Sequence, residues 1–124
     1  MVIDKPELVI IRGLPGSGKT TMAKREYPYH FLVEADMYFV EKGKYKYNPR
    51  LIKKAHEWCL QTTKILLNNG LNVVVCNTFT RKWEFEPYTN LEFPYKIIVA
   101  KGQYKNVHNV PDYIIENMRK RWED

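Results

Sequence analysis

Cysteine is scarce: Cys59 and Cys76 are the whole supply in 124 residues, and they lack Cys-x-x-Cys spacing. That excludes a disulfide framework and predicts two buried thiols in a reducing compartment. No apolar run is long enough to span a bilayer, and no signal-peptide pattern opens the chain, so the expectation is a cytoplasmic protein without a membrane partner. Internal repeats and low-complexity tracts are missing too. Acidic residues are the minority, 14 against 20 Lys and Arg, for a net charge of +6 and a pI near 9.3. A basic surface suits a polyanion such as nucleic acid or a nucleotide, although a soluble basic protein with no such partner has the same balance. The length and a 44% hydrophobic fraction predict one small domain over residues 1–124, with a core but little room for appendages. Glycine is also sparing. Of six glycines, Gly13, Gly16 and Gly18 fall close together.

Those three belong to Gly13-Leu14-Pro15-Gly16-Ser17-Gly18-Lys19-Thr20, which satisfies the phosphate-binding pattern G-x-x-x-x-G-K-[ST]. Its surroundings fit. Leu8-Val9-Ile10-Ile11 reads as a buried strand before it, and residues 20–27 as a helix after it, stopped by Pro28. Glycines let the backbone turn its N–H groups inward as a nest for phosphate oxygens, and the helix adds the positive end of its dipole. Lys19 brings a cation to the β- and γ-phosphates, and the Thr20 hydroxyl is a ligand for Mg²⁺. The nucleotide-contacting set is therefore Gly13, Leu14, Pro15, Gly16, Ser17, Gly18, Lys19, Thr20 and Thr21, with Thr20 also the metal residue.

Further along, Phe31-Leu32-Val33 reads as a short strand that delivers Glu34-Ala35-Asp36-Met37-Tyr38-Phe39 at its carboxyl end, where open α/β sheets bind ligands. Residues 40–47 read as a loop of interleaved Lys and Tyr, suited to a nucleic-acid strand or simply to solvent. Asn48 as N-cap and Pro49 open a long helix with Leu51, Ile52, Ala55, Trp58, Cys59, Thr62, Ile65 and Leu66 at helical spacing, closed at Asn69-Gly70. Trp58 reads as core and His56 as a packed or surface residue. Residues 72–76 form a third strand, 81–88 a short helix with Thr80 as N-cap, and 95–100 a fourth strand. A polar loop over 101–110 precedes a last helix that turns Ile114, Ile115, Met118 and Trp122 inward. The alternation predicts an α/β fold: a three-layer P-loop NTPase with a small parallel sheet, four strands in order 2-3-1-4, and helices on both faces.

With these segments placed, the chain resembles the P-loop kinases around the phage 5′-hydroxyl polynucleotide kinase, an AAA-type ATP-binding and kinase domain. Residues 12–23 carry the first likeness, Ala35-Asp36-Met37-Tyr38-Phe39 the second, and a third runs through Tyr47-Asn48-Pro49, Ala55-His56-Glu57-Trp58, Asn77-Thr78, Trp83-Glu84 and Pro87-Tyr88. The resemblance implies transfer of the γ-phosphoryl of ATP to a hydroxyl, with Mg²⁺, and with Asp36 as general base beside Lys19 as the catalytic pair. A carboxylate can do this work if it reaches the attacking hydroxyl opposite the leaving nucleotide. The chain departs from the pattern in three places. Cys76-Asn77-Thr78-Phe79 has no carboxylate where the family usually has one, Met37 replaces a second acid, and no arginine stands between Ala100 and Pro111. Lys101, Lys105 and His108 are the basic residues there, with Arg81, Arg119 and Arg121 as other sources of a γ-phosphate cover.

Three functions follow as expectations. The first is an ATP-dependent phosphotransferase acting on a hydroxyl of nucleic acid or a nucleotide-like acceptor. The second is a nucleotide-binding P-loop protein with little turnover that works through a partner. The third is a nucleic-acid-binding protein that uses the Lys/Tyr segment alone.

Overall fold

Two strands of unbroken apolar sequence set the centre of the molecule. In the computed structural model, which describes residues 5–103 and 110–124, β1 (Leu8–Arg12) and β5 (Val73–Asn77) are buried at every position. Such runs arise where both faces of a parallel sheet are covered. β1 pairs with β5 on one side and β6 (Tyr95–Val99) on the other, all parallel, and β2 (Phe31–Val33) pairs with the far edge of β5. The order is β2-β5-β1-β6. With a small separate hairpin set aside, this is the expected 2-3-1-4.

Helices cover both faces. On one, α1 (Lys19–Glu26) places Ala23 and Met22 against Val9, Ile11, Val74 and Cys76. On the other, α2 (Ile52–Asn68) and α3 (Lys82–Thr89) cover Leu8, Ile10, Val33, Val73 and Val75. α4 (Asp112–Lys120) has no fully buried residue, but its half-buried side chains are Ile114, Ile115 and Met118, as expected, with Trp122 just beyond it.

α2 buries the expected Ala55 and Cys59 and, with Leu51 just before it, packs Trp58 and Leu66 against the core, but its stripe then departs from the expected one. Ala55, Cys59, Thr63 and Leu67 are inside, whereas Ile52 and Ile65 are exposed. The buried residues follow each other at i+4 along one ridge, and that ridge drops onto the sheet. Thr63 fits an apolar surround because its hydroxyl donates to the Cys59 carbonyl of the preceding turn, 2.8 Å away. The helix start is as expected, with Asn48 Oδ1 accepting from the Arg50 N–H, but the first turn, Pro49–Leu51, is 3-10. Gly70 closes the other end at φ 79°.

Residues 40–47 do not form a loop. β3 (Val40–Glu41) and β4 (Lys44–Tyr45) pair antiparallel across Lys42-Gly43, both at positive φ (50° and 78°). Positive φ at both central residues is the two-residue hairpin turn that matches strand twist. Lys is an uncommon first residue for it, which is why the hairpin was hidden. Thr80 is likewise no N-cap. The Glu84 carboxylate accepts from the Thr80 hydroxyl (2.7 Å) and the Arg81 N–H (2.6 Å), so the acid in the first turn closes the start of α3.

Candidate functional site

The carboxyl ends of β1, β2 and β5 open together on one side of the sheet. The glycine loop leaves β1 there. Gly16 and Gly18 stand at φ 82° and 87°, a conformation that favours glycine. Gly13 is needed for another reason: a Cβ would lie 2.3 Å from Ser17 Oγ and 2.9 Å from the Ala100 carbonyl. The loop is tied down by Gly13 N–H to the Thr78 carbonyl, Ser17 N–H to the Leu14 carbonyl, and Gly102 N–H to the Ser17 carbonyl.

Arg12 fixes the root of the loop. It is buried, and its guanidinium donates to the carbonyls of Phe79, Thr80 and Glu123. The same group lies 4.8 Å from the Phe85 ring and 4.2 Å from the Trp122 ring. Phe79 is held at φ 47°, strained for an aromatic residue, with its carbonyl in the arginine fork.

A cleft of about 610 Å³ sits over these strand ends. Pro15, Gly16, Gly18, Lys19, Thr20 and Thr21 line it on the loop side, and Glu34, Asp36, Phe39, Tyr45 and Tyr47 face them. Gly13 and Leu14 contribute through their carbonyls, which accept from Lys19 Nζ at 2.9 and 3.1 Å. Ser17 is buried inside the loop turn. Burial lowers the Lys19 pKa, and the nearby Cys76, Glu34 and Asp36 oppose that shift.

Asp36 lies in a 3-10 turn, Ala35–Phe39, directly after β2. Its Oδ1 accepts from the Tyr45 hydroxyl at 3.2 Å. Burial first, and then the charge and hydrogen bond of Asp36, raise the Tyr45 pKa, so this hydroxyl stays a donor. The turn is positioned from β5. Asn77 Oδ1 accepts from the Ala35 N–H at 2.9 Å, and its amide donates to Cys59 Sγ at 3.4 Å.

Three contributors were not singled out from sequence. Glu34 accepts from the Thr20 hydroxyl at 2.6 Å. It was visible as an acid at the end of a short strand, but Asp36 drew the attention. Asn77 was noted only as part of the family likeness and as a residue without charge, not as the group that holds the Ala35 turn. Tyr45 depended on the unrecognised hairpin. His56 also lines the cleft; partial burial there lowers its pKa against the pull of Glu84 and Asp36.

The residues fit a magnesium nucleotide. The Thr20 hydroxyl and Glu34 carboxylate form a hard-oxygen pair suited to a hydrated divalent cation, next to an ammonium and a helix N-terminus suited to phosphate. The arginines do not join them. Arg81 is the residue that precedes α3, Arg119 pairs with Glu116, and Arg121 donates to the Thr80 hydroxyl. None lines the cleft, while Lys105 and His108 lie outside the described residues. Cys59 and Cys76 are free and buried, on opposite faces of the sheet. No helix among the described residues is long and apolar enough to cross a membrane.

Known proteins are similar to this chain in sequence and in fold. Human NEDD4-binding protein 2 is 31% identical over 109 residues, covering 85% of this chain and 6% of that protein. This chain thus spans a small part of the relative's length. A chain in the structure of the Pnkp1/Rnl/Hen1 RNA repair complex superposes with a TM-score of 0.73 at 18% identity, covering 97% of this chain and 45% of its own. A gluconokinase from Sinorhizobium meliloti 1021 gives a TM-score of 0.66 at 16% identity, over 98% and 78%. Residues 8–102 match the model of the AAA domain family. From the loop at the end of β1 to the order of its sheet, this chain is a P-loop kinase-like domain and belongs to that family.

Proposed function

We propose that this domain transfers the γ-phosphoryl group of ATP to a hydroxyl of a nucleic acid or nucleotide-like acceptor. The observation that carries the reading is the placement of Lys19, the Thr20–Glu34 pair and Asp36 on the walls of one cleft. When bound, magnesium ATP supplies an activated phosphoryl group whose charge the cation spreads and neutralises. The chain's own residues do the rest. Loop amides and the α1 N-terminus orient the phosphates, and Lys19 leaves the Gly13 and Leu14 carbonyls to neutralise them. Asp36, held by Tyr45, takes the proton of the acceptor hydroxyl while that oxygen bonds to phosphorus and the bond to the leaving nucleotide breaks. Tyr45 and Tyr47, stacked at 6.4 Å and 15° on the hairpin beside the cleft, offer a flat surface for an acceptor base. The kinship with a chain of an RNA repair complex supports the nucleic-acid class, and the gluconokinase keeps a small hydroxyl acceptor in view.

The test is transfer from labelled ATP to 5′-hydroxyl oligonucleotides and to free nucleosides. Asp36→Asn should lower kcat by about 10²- to 10⁴-fold while the thermal shift with magnesium ATP persists. A second reading, a nucleotide-binding module acting through a partner, draws on the absence of arginine from the cleft lining among the described residues. Magnesium ATP binding with no transfer to any hydroxyl would select it.

A further inference from the structure

P-loop proteins hold their cation between the loop Ser or Thr and a carboxylate at the end of a neighbouring strand. In this sheet the strand beside β1 that faces the loop is β5, and it ends on Cys76-Asn77. Neither residue supplies a charge. Burial and the proximity of Glu34 push the Cys76 thiol up, so it stays protonated, and Asn77 is engaged with Ala35 and Cys59. One strand further out, Val33 of β2 pairs with Val75. That register brings Glu34 alongside Cys76, and its side chain reaches back to the Thr20 hydroxyl.

We propose that Glu34 is the carboxylate that holds the hydrated divalent cation of a bound nucleoside triphosphate, a role moved from β5 to the adjoining strand. The inference rests on the reading that magnesium nucleotide occupies this cleft. The hydrogen bond has the right sense. Thr20 donates its proton to Glu34, which leaves the hydroxyl lone pairs for a cation and fixes their direction. Glu34 and Asp36 are the two carboxylates lining the cleft among the described residues, and their hydrogen bonds divide the work. Glu34 engages Thr20 on the loop side, and Asp36 engages Tyr45 on the hairpin side. A shift of the metal carboxylate between adjacent strands needs no change in sheet order.

Calorimetric titration of ATP, with and without Mg²⁺, separates a metal role from a structural one. Glu34→Gln keeps the shape and removes the charge. It should raise the Mg²⁺ concentration that half-saturates nucleotide binding by about 10- to 100-fold. Metal-free ATP should bind as tightly or more tightly, because a negative charge near the phosphates has gone. Glu34→Asp, which keeps the charge on a shorter arm, should recover part of the Mg²⁺ response. Mn²⁺ resonance spectra of the nucleotide complex should broaden differently in the Gln variant and the parent. If Glu34→Gln leaves the Mg²⁺ dependence unchanged, or weakens metal-free and metal-loaded ATP equally, the assignment is wrong although the site binds nucleotide. If the parent itself binds no magnesium nucleotide, this inference and the proposed function fall together.

Discussion

At the scale of single residues, the site is set by side chains that never need to touch a substrate. Asn77 is the clearest. Its buried amide holds the Ala35 N–H and thereby the turn that presents Asp36. Asn77→Ala leaves that buried N–H without a partner, so a loss of about 1–3 kcal/mol is expected in urea unfolding. Phosphoryl transfer should drop more than nucleotide affinity, because the acid is displaced while the loop is not. His56 gives a pH signature. Its side chain is exposed, yet the cleft walls strip part of its hydration, and this desolvation sets its folded pKa below the ordinary 6.5. Between those two values the unfolded chain binds the extra proton and the folded chain does not, so stability falls as pH drops below about 6.5. Solvent screens an exposed group, so the effect is small: His56→Gln should slightly flatten the decline of melting temperature from pH 7 to pH 5. An unchanged slope would remove His56 from the account.

At the scale of elements, what could be read from the sequence depended on whether local or long-range forces decide. The glycine loop, its flanking strand and α1 were legible because a short pattern fixes their backbone. The four sheet strands were legible as apolar runs too brief to be helices. The stripe of α2 was legible at Ala55 and Cys59 but not at Ile52, Thr63, Ile65 and Leu67. Ile52 and Ile65 match helical spacing as well as Thr63 and Leu67 do, and only the angle at which the helix meets the sheet chooses between them. That choice is measurable: Leu67→Ala should cost about 2–5 kcal/mol and Ile65→Ala less than about 0.5 kcal/mol. Comparable losses from the two would restore the stripe expected from spacing. The hairpin was hidden for the same kind of reason. Phe39 packs edge-on to Tyr47 at 5.2 Å and to Tyr45 at 6.3 Å, and these contacts stabilise a Lys-Gly turn that local preference disfavours. That Lys19 and Thr20 belong with the loop was readable from pattern, and Asp36 was picked out by the family likeness; the structure brings all three to one cleft, but the partners that orient them come from other strands, whose register a linear reading does not contain.

At the scale of the whole molecule, a basic chain places its cleft between a phosphate-binding loop and a hairpin carrying Lys42, Lys44 and Lys46. Lys46 is paired with Glu41, 3.6 Å away. If the acceptor is a strand of nucleic acid, its affinity should fall linearly with the logarithm of salt concentration. Lys44→Ala should weaken binding alike for unrelated sequences and reduce that slope by about 1. A slope untouched by hairpin lysines would direct attention to small hydroxyl acceptors.

The two thiols have a use of their own. Cys59 belongs to the layer under α2 and Cys76 to the layer under α1, and the sheet stands between them. An alkylating reagent reaches Cys59 when its layer lifts, and Cys76 when its layer lifts or the floor of the cleft opens. Counting the modified cysteines over time therefore becomes a pair of clocks inside one chain, one for each side of the sheet. A ligand seated on the loop should slow the Cys76 clock first, and any lag between the two would reveal that the layers part company in sequence.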